Sequence, residues 1–190
     1  MLKQTMPPEL KRWLVARFPR LSRNNRLRYR WSDLTEKAYQ AVYDNRHEEH
    51  ALGRIINLRN VVRSIAAEKI QGDLAEFGCF QGFSLMWIIH LCSRFHLRDR
   101  RIFGFDGFVG LPEDDGQFHK GQFSDTSFDL CLQNALSTPG ASPRLLKNVH
   151  VGRHLFEEKK EILEFLRTRE SRAFSLVHID CDIGSACDSI

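Results

Sequence analysis

The fold is decided by residues 72–84, which read GDLAEFGCFQGFS. The apolar run before Gly78 is typical of a buried strand, and the residues after Gly82 are typical of the start of a helix. Open α/β sheets bind nucleotide-like ligands at such a strand, glycine turn and helix. We expect the two glycines to let the backbone turn sharply and a ligand approach closely, with Glu76 as an acceptor at the end of the strand. Because the G-x-G-x-x-G fingerprint of dinucleotide binders is absent, an ordinary glycine turn with a solvated Glu76 is an alternative.

A second acid follows a second predicted strand. Residues 101–108 read RIFGFDGF, an apolar run that ends in Asp106 and Gly107. In a βαβ unit, an acid at the end of the second strand faces the first glycine loop, where its two oxygens can accept hydrogen bonds from both hydroxyls of a ribose. Asp106 is therefore a candidate nucleoside ligand. Asp-Gly pairs are also common turn formers, so Asp106 as a mere stabiliser of the turn is the alternative.

Three motifs occur in order along the chain: DLAEFGCFQG at 73–82, FDGFVGLPE at 105–113 and HIDCDI at 178–183. Together they resemble the macrocin O-methyltransferase family of S-adenosylmethionine-dependent enzymes. The resemblance implies an α/β fold of the Rossmann-like class I methyltransferase type, a parallel sheet with helices on both faces, preceded by an N-terminal helical region. It also implies a magnesium ion and methylation of a hydroxyl on a sugar-containing or other polyhydroxylated small molecule.

The resemblance extends to individual residues. Asp180 is implied as the first magnesium ligand and the general base, with Asp182 beside the cofactor. Carboxylates two residues apart on an extended chain point to the same side, and their hard oxygens suit magnesium. The alternative is that both acids only cap a following helix. The residues implied to bind S-adenosylmethionine are Glu76, Gly78, Cys79, Phe80, Gly82, Ser84, Asp106, Gly107, Phe108, Gly152 and Asp182.

The end of the chain departs from the family pattern. Family members continue through another strand whose adjacent acids complete the metal site, whereas this chain stops at Ile190. We therefore expect the C-terminal strands of the sheet to be missing, which would leave the apolar strand predicted at 173–179 without a neighbour on one side. A catalytically incomplete methyltransferase-like binding protein is one alternative, and another nucleotide-cofactor enzyme on the same fold is a second.

The 190 residues, 42% of them hydrophobic, are enough for one good core. We expect a basic N-terminal arm at 1–31, a helical lid or edge region at 32–70 and an incomplete methyltransferase core at 71–190. Residues 1–30 hold nine Lys or Arg and one acid, so the net charge of +4 comes from the arm. The arm carries no motif for a specific nucleic-acid partner.

Cysteine usage and hydropathy indicate the compartment. The five cysteines form no C-x-x-C pair, which argues against both a zinc site and a complete disulfide framework. The sequence shows no signal-peptide core and no apolar run long enough to span a bilayer. We expect a cytoplasmic protein that acts on a small-molecule hydroxyl acceptor, and self-association stays open.

Overall fold

The computed structural model describes residues 48–182, with side chains from Gly53 onward. The predicted arm, residues 32–47 of the predicted helical region and residues 183–190 lie outside this range. The elements in chain order are α1 (Glu48–Ala67), β1 (Asp73–Phe77), α2 (Phe83–Arg94), β2 (Ile102–Asp106), α3 (Phe128–Leu136), α4 (Pro143–Leu146), β3 (Val149–Arg153), α5 (Lys159–Arg167) and β4 (Phe174–Ile179).

The four strands form one parallel sheet in the order β3-β2-β1-β4. Phe77 of β1 lies level with Phe105 of β2 and with Ile179 of β4, and Asp106 lies level with Arg153 of β3. The carboxyl ends of all four strands therefore share one edge of the sheet. This confirms the predicted α/β class with a parallel sheet.

Helices cover both faces of the sheet. On one face, Phe103 and Phe105 pack in a core cluster with Ile162 and Leu166 of α5. On the other face, Gly104 leaves room for Leu85 of α2, which would lie 2.8 Å from an added Cβ. Burying each large apolar side chain contributes about 1.5–3 kcal/mol. The two layers of packing fix the edge at which the strands end.

Strand β4 lies at the edge of the described sheet, because within residues 48–182 it pairs only with β1. Its side chains Val177 and Ile179 are 44% and 47% exposed. This strand corresponds to the apolar strand predicted at 173–179. Among the described helices, none is both long and apolar enough to cross a membrane.

Candidate active site

The two glycines of the loop after β1 make room for the protein's own backbone. Both have positive φ, +90° at Gly78 and +88° at Gly82, which favours glycine. A Cβ on Gly78 would collide with the carbonyl oxygen of Asp180, and one on Gly82 would lie 3.2 Å from the carbonyl oxygen of Cys131. On their Cβ sides, these two positions therefore pack against the residue that follows β4 and against α3. Because they lack a Cβ, the two glycines allow these neighbouring backbones to pack closely against the loop.

Between Gly78 and Gly82, the backbone of the glycine loop is hydrogen-bonded by side chains from other elements. Phe80 has a left-handed backbone with φ of 49°, a conformation that costs a non-glycine residue about 1 kcal/mol or more. Its N–H donates to Asp106 Oδ2 at 2.7 Å, and its carbonyl accepts from Thr126 Oγ1 at 2.7 Å. The carbonyl of Gln81 accepts from Asn134 Nδ2 at 2.8 Å. Thr126 and Asn134 belong to no motif, so the sequence does not identify them as site residues.

Asp106 joins two turns. Its Oδ1 accepts from the N–H of Phe108 at 2.7 Å, so the carboxylate stabilises the turn that follows β2. Its Oδ2 accepts from Phe80, so the same carboxylate also reaches the glycine loop. Each carboxylate oxygen has two lone pairs, which leaves acceptor capacity for the hydroxyls of a ligand. Asp106 therefore stabilises the turn, and this contact is compatible with a ligand role.

Glu76 is fully buried, so the alternative of a solvated glutamate is wrong. Neither carboxylate oxygen has a hydrogen-bond partner among the described residues, and His178 Nε2 lies 3.8 Å from Oε1. Burial raises the pKa of Glu76 to about 8, and the nearby Ser84 hydroxyl opposes this shift only in part. Buried polar groups without partners are rare in folded proteins. These oxygens are the strongest indication of a ligand in the described structure.

Asp180 lies at the same edge in an ion pair. Its Oδ2 is 2.6 Å from Arg54 Nη1 of α1, and about a quarter of the Asp180 side chain is exposed. The backbone N–H of Asp180 donates to the carbonyl of Phe77 at 2.8 Å, which continues the β1–β4 pairing. His178, two residues earlier, has its pKa lowered mainly by burial. The ion pair was not expected, because no motif distinguishes Arg54 within α1.

The described residues show no complete site for the predicted magnesium ion. Magnesium is usually held by one or two protein carboxylates together with water and substrate oxygens. The Asp180 carboxylate already binds a guanidinium group, and Asp182 is exposed with a left-handed φ of 63°. In residues 48–182 no group of three His, Cys, Asp or Glu side chains could hold a metal ion.

The other predicted site residues lie in or next to the loops at this edge. Cys79, within the glycine loop, and Ser84, in the first turn of α2, are both buried, and burial raises the pKa of the Cys79 thiol. Phe108 packs edge-to-face on Phe128, with ring centroids 5.9 Å apart. Two predicted glycines serve packing: an added Cβ would lie 2.6 Å from Leu155 at Gly107, and 2.9 Å from His154 and 3.0 Å from Phe105 at Gly152.

A parallel sheet, a glycine loop after its first strand and an acid at the end of its second are typical of Rossmann-like folds, among them the class I methyltransferase fold. A family model described as Macrocin-O-methyltransferase (TylF) matches residues 22–139, more than half of the chain. The chain belongs to the macrocin-O-methyltransferase family. The matched range includes Glu76 and Asp106 and ends before Asp180 and Asp182.

A solved methyltransferase structure has the same fold. The calicheamicin methyltransferase CalS11 superposes with a TM-score of 0.57 at 16% identity, over 87% of this chain and 71% of that one. The O-methyltransferase NovP gives a TM-score of 0.47 at 19% identity, over 72% of this chain and 56% of that one. This chain therefore spans only part of each enzyme. A comparison with curated proteins found no match.

Proposed function

We propose that this chain is an S-adenosylmethionine-dependent O-methyltransferase that acts on a hydroxyl of a sugar-containing small molecule. Its family membership supports methyl transfer. An apo structure of CalS11, described as TDP-rhamnose 3'-O-methyltransferase, has a TM-score of 0.50 and supports a sugar as the class of acceptor. The observation that most supports a bound cofactor is the buried carboxylate of Glu76, which has no hydrogen-bond partner among the described residues.

The residues at the carboxyl edge fit this cofactor. S-adenosylmethionine, when bound, supplies a methyl group on a positively charged sulfur, together with an ammonium group and two ribose hydroxyls. Glu76 offers two acceptor oxygens to a donor, and Asp106 keeps lone pairs for hydroxyls. A cationic group beside Glu76 favours its ionised form, so binding would release a proton. The remaining contacts are proposed for Gly78, Cys79, Phe80, Gly82, Ser84, Gly107, Phe108, Gly152 and Asp182.

Asp180 is the proposed base for the acceptor hydroxyl. It lies at the edge where the strands end, and its side chain is partly exposed. The proposal requires the Arg54 guanidinium to leave the Asp180 carboxylate when the acceptor binds, and it includes no step on magnesium. Orienting the hydroxyl towards the sulfonium methyl would contribute most of the rate, since well-oriented reactants avoid about 7–11 kcal/mol of the barrier.

Calorimetric titration with S-adenosylhomocysteine tests the cofactor. We expect saturable binding to the wild type and at least about 100-fold weaker binding to Asp106→Ala, which loses the proposed charge-assisted hydrogen bonds to two ribose hydroxyls. Asp129→Ala, which removes an exposed aspartate of α3, is the control and should bind like the wild type. No heat from the wild type at high ligand concentration overturns the proposal. Equal losses in Asp106→Ala and Asp180→Ala contradict the roles assigned to these two acids.

A catalytically incomplete binding protein is the second candidate. The observation that favours it is the Arg54–Asp180 ion pair, which holds the proposed base. Methyl transfer from labelled S-adenosylmethionine to a panel of nucleotide sugars and glycosides separates the two. Saturable cofactor binding without transfer to any acceptor would support the binding protein, and transfer would support the enzyme.

A further inference from the structure

We propose that Thr126 and Asn134 are positioning residues that hold the glycine loop in the shape that binds the cofactor. The inference rests on the proposed function, in which residues 78–84 contact S-adenosylmethionine. Neither residue belongs to the motifs that define the site. They reach it from two separate places, the end of the segment after β2 and helix α3.

The loop needs such partners because part of its backbone belongs to neither β1 nor α2. The N–H and carbonyl of Phe80 and the carbonyl of Gln81 lie between the strand, which ends at Phe77, and the helix, which begins at Phe83. Each of these three groups is bound by one side chain, at 2.7, 2.7 and 2.8 Å, from Asp106, Thr126 and Asn134 respectively.

The left-handed backbone of Phe80 makes these contacts important. With φ at 49°, the residue adopts a conformation that persists only where the surroundings over-determine it. Asp106 binds the N–H side of this residue and Thr126 its carbonyl side, so the peptide groups on both sides are fixed. Without the Thr126 hydroxyl, Phe80 could relax towards negative φ and turn its amide away from Asp106.

The same loop also contacts the segment after β2, residues 107–125. Gln81 Nε2 donates to the carbonyl of Asp125 at 2.8 Å, and the Phe80 and Phe123 rings meet edge-to-face at 5.5 Å. Ser127 begins α3 by accepting the N–H of Leu130 at 3.1 Å. Thr126 thus lies between the segment after β2 and α3, and its hydrogen bond connects both to the glycine loop.

Thr126→Val tests the proposal, because valine keeps the branched shape and removes the donor. We expect its Kd for S-adenosylhomocysteine to rise about five-fold, the loss of one net hydrogen bond. Thr126→Ser restores the hydroxyl and should return the Kd to within about two-fold of the wild type. Asn134→Leu, an independent variant in case Thr126→Val does not fold, should weaken binding by a similar factor.

Thr138→Val is the matched control. Thr138 Oγ1 donates to the carbonyl of Ala135 at 2.7 Å, so the same substitution removes the same kind of bond at the far end of α3. We expect it to lower the melting temperature and leave the Kd unchanged. If Thr126→Val binds as tightly as the wild type, or if Thr138→Val weakens binding equally, the positioning role is overturned.

Hydrogen exchange without ligand separates this inference from the proposed function. Amides of residues 80–82 should exchange faster in Thr126→Val than in Thr138→Val, because only the first releases the loop. A wild type that binds no S-adenosylhomocysteine overturns the proposed function, while the exchange result still shows whether Thr126 holds the loop. Equal exchange in the two variants overturns the positioning role.

Discussion

The carboxyl edge of the sheet contains two neighbouring regions that treat their polar groups differently. In the glycine-loop region, Asp106 binds two backbone amides, and the carbonyls of Phe80 and Gln81 each accept a side-chain donor. In the region between β1 and β4, which we call the acid cluster (Arg54, Glu76, His178 and Asp180), Glu76 is buried without a hydrogen-bond partner among the described residues. Only Arg54 and Asp180 in that cluster form a close ion pair.

The polar groups of the glycine-loop region are already hydrogen-bonded without a ligand, whereas Glu76 of the acid cluster is not. A polar group that is already bound keeps its geometry when a ligand arrives, so the glycine-loop region can position a cofactor without rearranging. A buried carboxylate without partners instead stays protonated or gains a counter-charge. We therefore expect the glycine-loop region to respond mainly to changes of shape, and the acid cluster to respond mainly to pH and charge.

Gly78 lies where the two regions meet, and replacing it should have the largest effect. In Gly78→Ala the new Cβ would collide with the Asp180 carbonyl, and the residue would also have to keep a φ of +90°. Both residues directly follow paired strands and continue the pairing, because the N–H of Gly78 donates to the carbonyl of Phe105 and the N–H of Asp180 donates to the carbonyl of Phe77. The two backbones cannot move apart without losing these hydrogen bonds. We expect the free energy of unfolding to fall by about 4 kcal/mol, at the upper end for single substitutions. Urea denaturation monitored by circular dichroism measures it.

Gly116→Ala is a control that separates the cost of the steric collision at Gly78 from the cost of a positive φ. Gly116 also has a positive φ, +58°, but an added Cβ would have nothing within 4 Å. It should lose only about 1 kcal/mol, the cost of a left-handed alanine. Equal losses in the two variants would show that β4 does not press on Gly78, and the two regions would then be independent.

Glu76→Gln should have the next largest effect, on stability as a function of pH. The pKa of Glu76 is about 8 in the folded protein and about 4.5 when exposed, so between these values the folded state holds the extra proton. Stability from this group is complete below pH 4.5 and is lost as the pH rises to 8. Glutamine does not titrate, so the variant should not show this loss.

The stability difference between Glu76→Gln and the wild type at pH 8 is set by two opposing free energies: the cost of ionising the buried glutamate and the cost of burying an amide without partners. A shift from 4.5 to about 8 corresponds to at most about 5 kcal/mol at 1.36 kcal/mol per pH unit. A buried amide without partners costs about 1–3 kcal/mol. We expect Glu76→Gln to be about 2 kcal/mol more stable than the wild type at pH 8, measured by urea denaturation at pH 5 and pH 8. Glu164→Gln, at an exposed position of α5, should follow the wild type, and a Glu76→Gln curve parallel to it would refute the buried acid.

Much of this edge could be predicted from local patterns. The apolar run and glycines of residues 72–84 predict β1 at 73–77, where the structure has it, and Asp106 at the end of β2 follows from the same logic. These features can be predicted because each depends on residues only a few positions away in the sequence. The short helix α4 was missed because residues 138–143, rich in proline and small residues, predict only a chain break.

The partners across the fold could not be predicted. Thr126 and Asn134 lie 46 and 53 residues from the backbone groups they bind, and Arg54 and Asp180 are brought together by the packing of α1 near β4. Single threonine, asparagine and arginine residues carry no pattern that identifies a distant contact. The burial of Glu76 was missed for a related reason, since it depends on helices that cover the sheet.

Arg54→Gln should have the smallest effect and tests the charge balance of the acid cluster. The side chains of the Arg54–Asp180 pair are 35% and 25% exposed, so water screens much of their attraction. We expect a loss of about 0.5–1 kcal/mol that shrinks at high salt. Arg59→Gln, on the exposed side of α1, should change stability by less. Once Arg54 is glutamine, Asp180→Asn should cost nothing further, and a double-mutant cycle without coupling would show that Asp180 is held by its backbone rather than by this arginine.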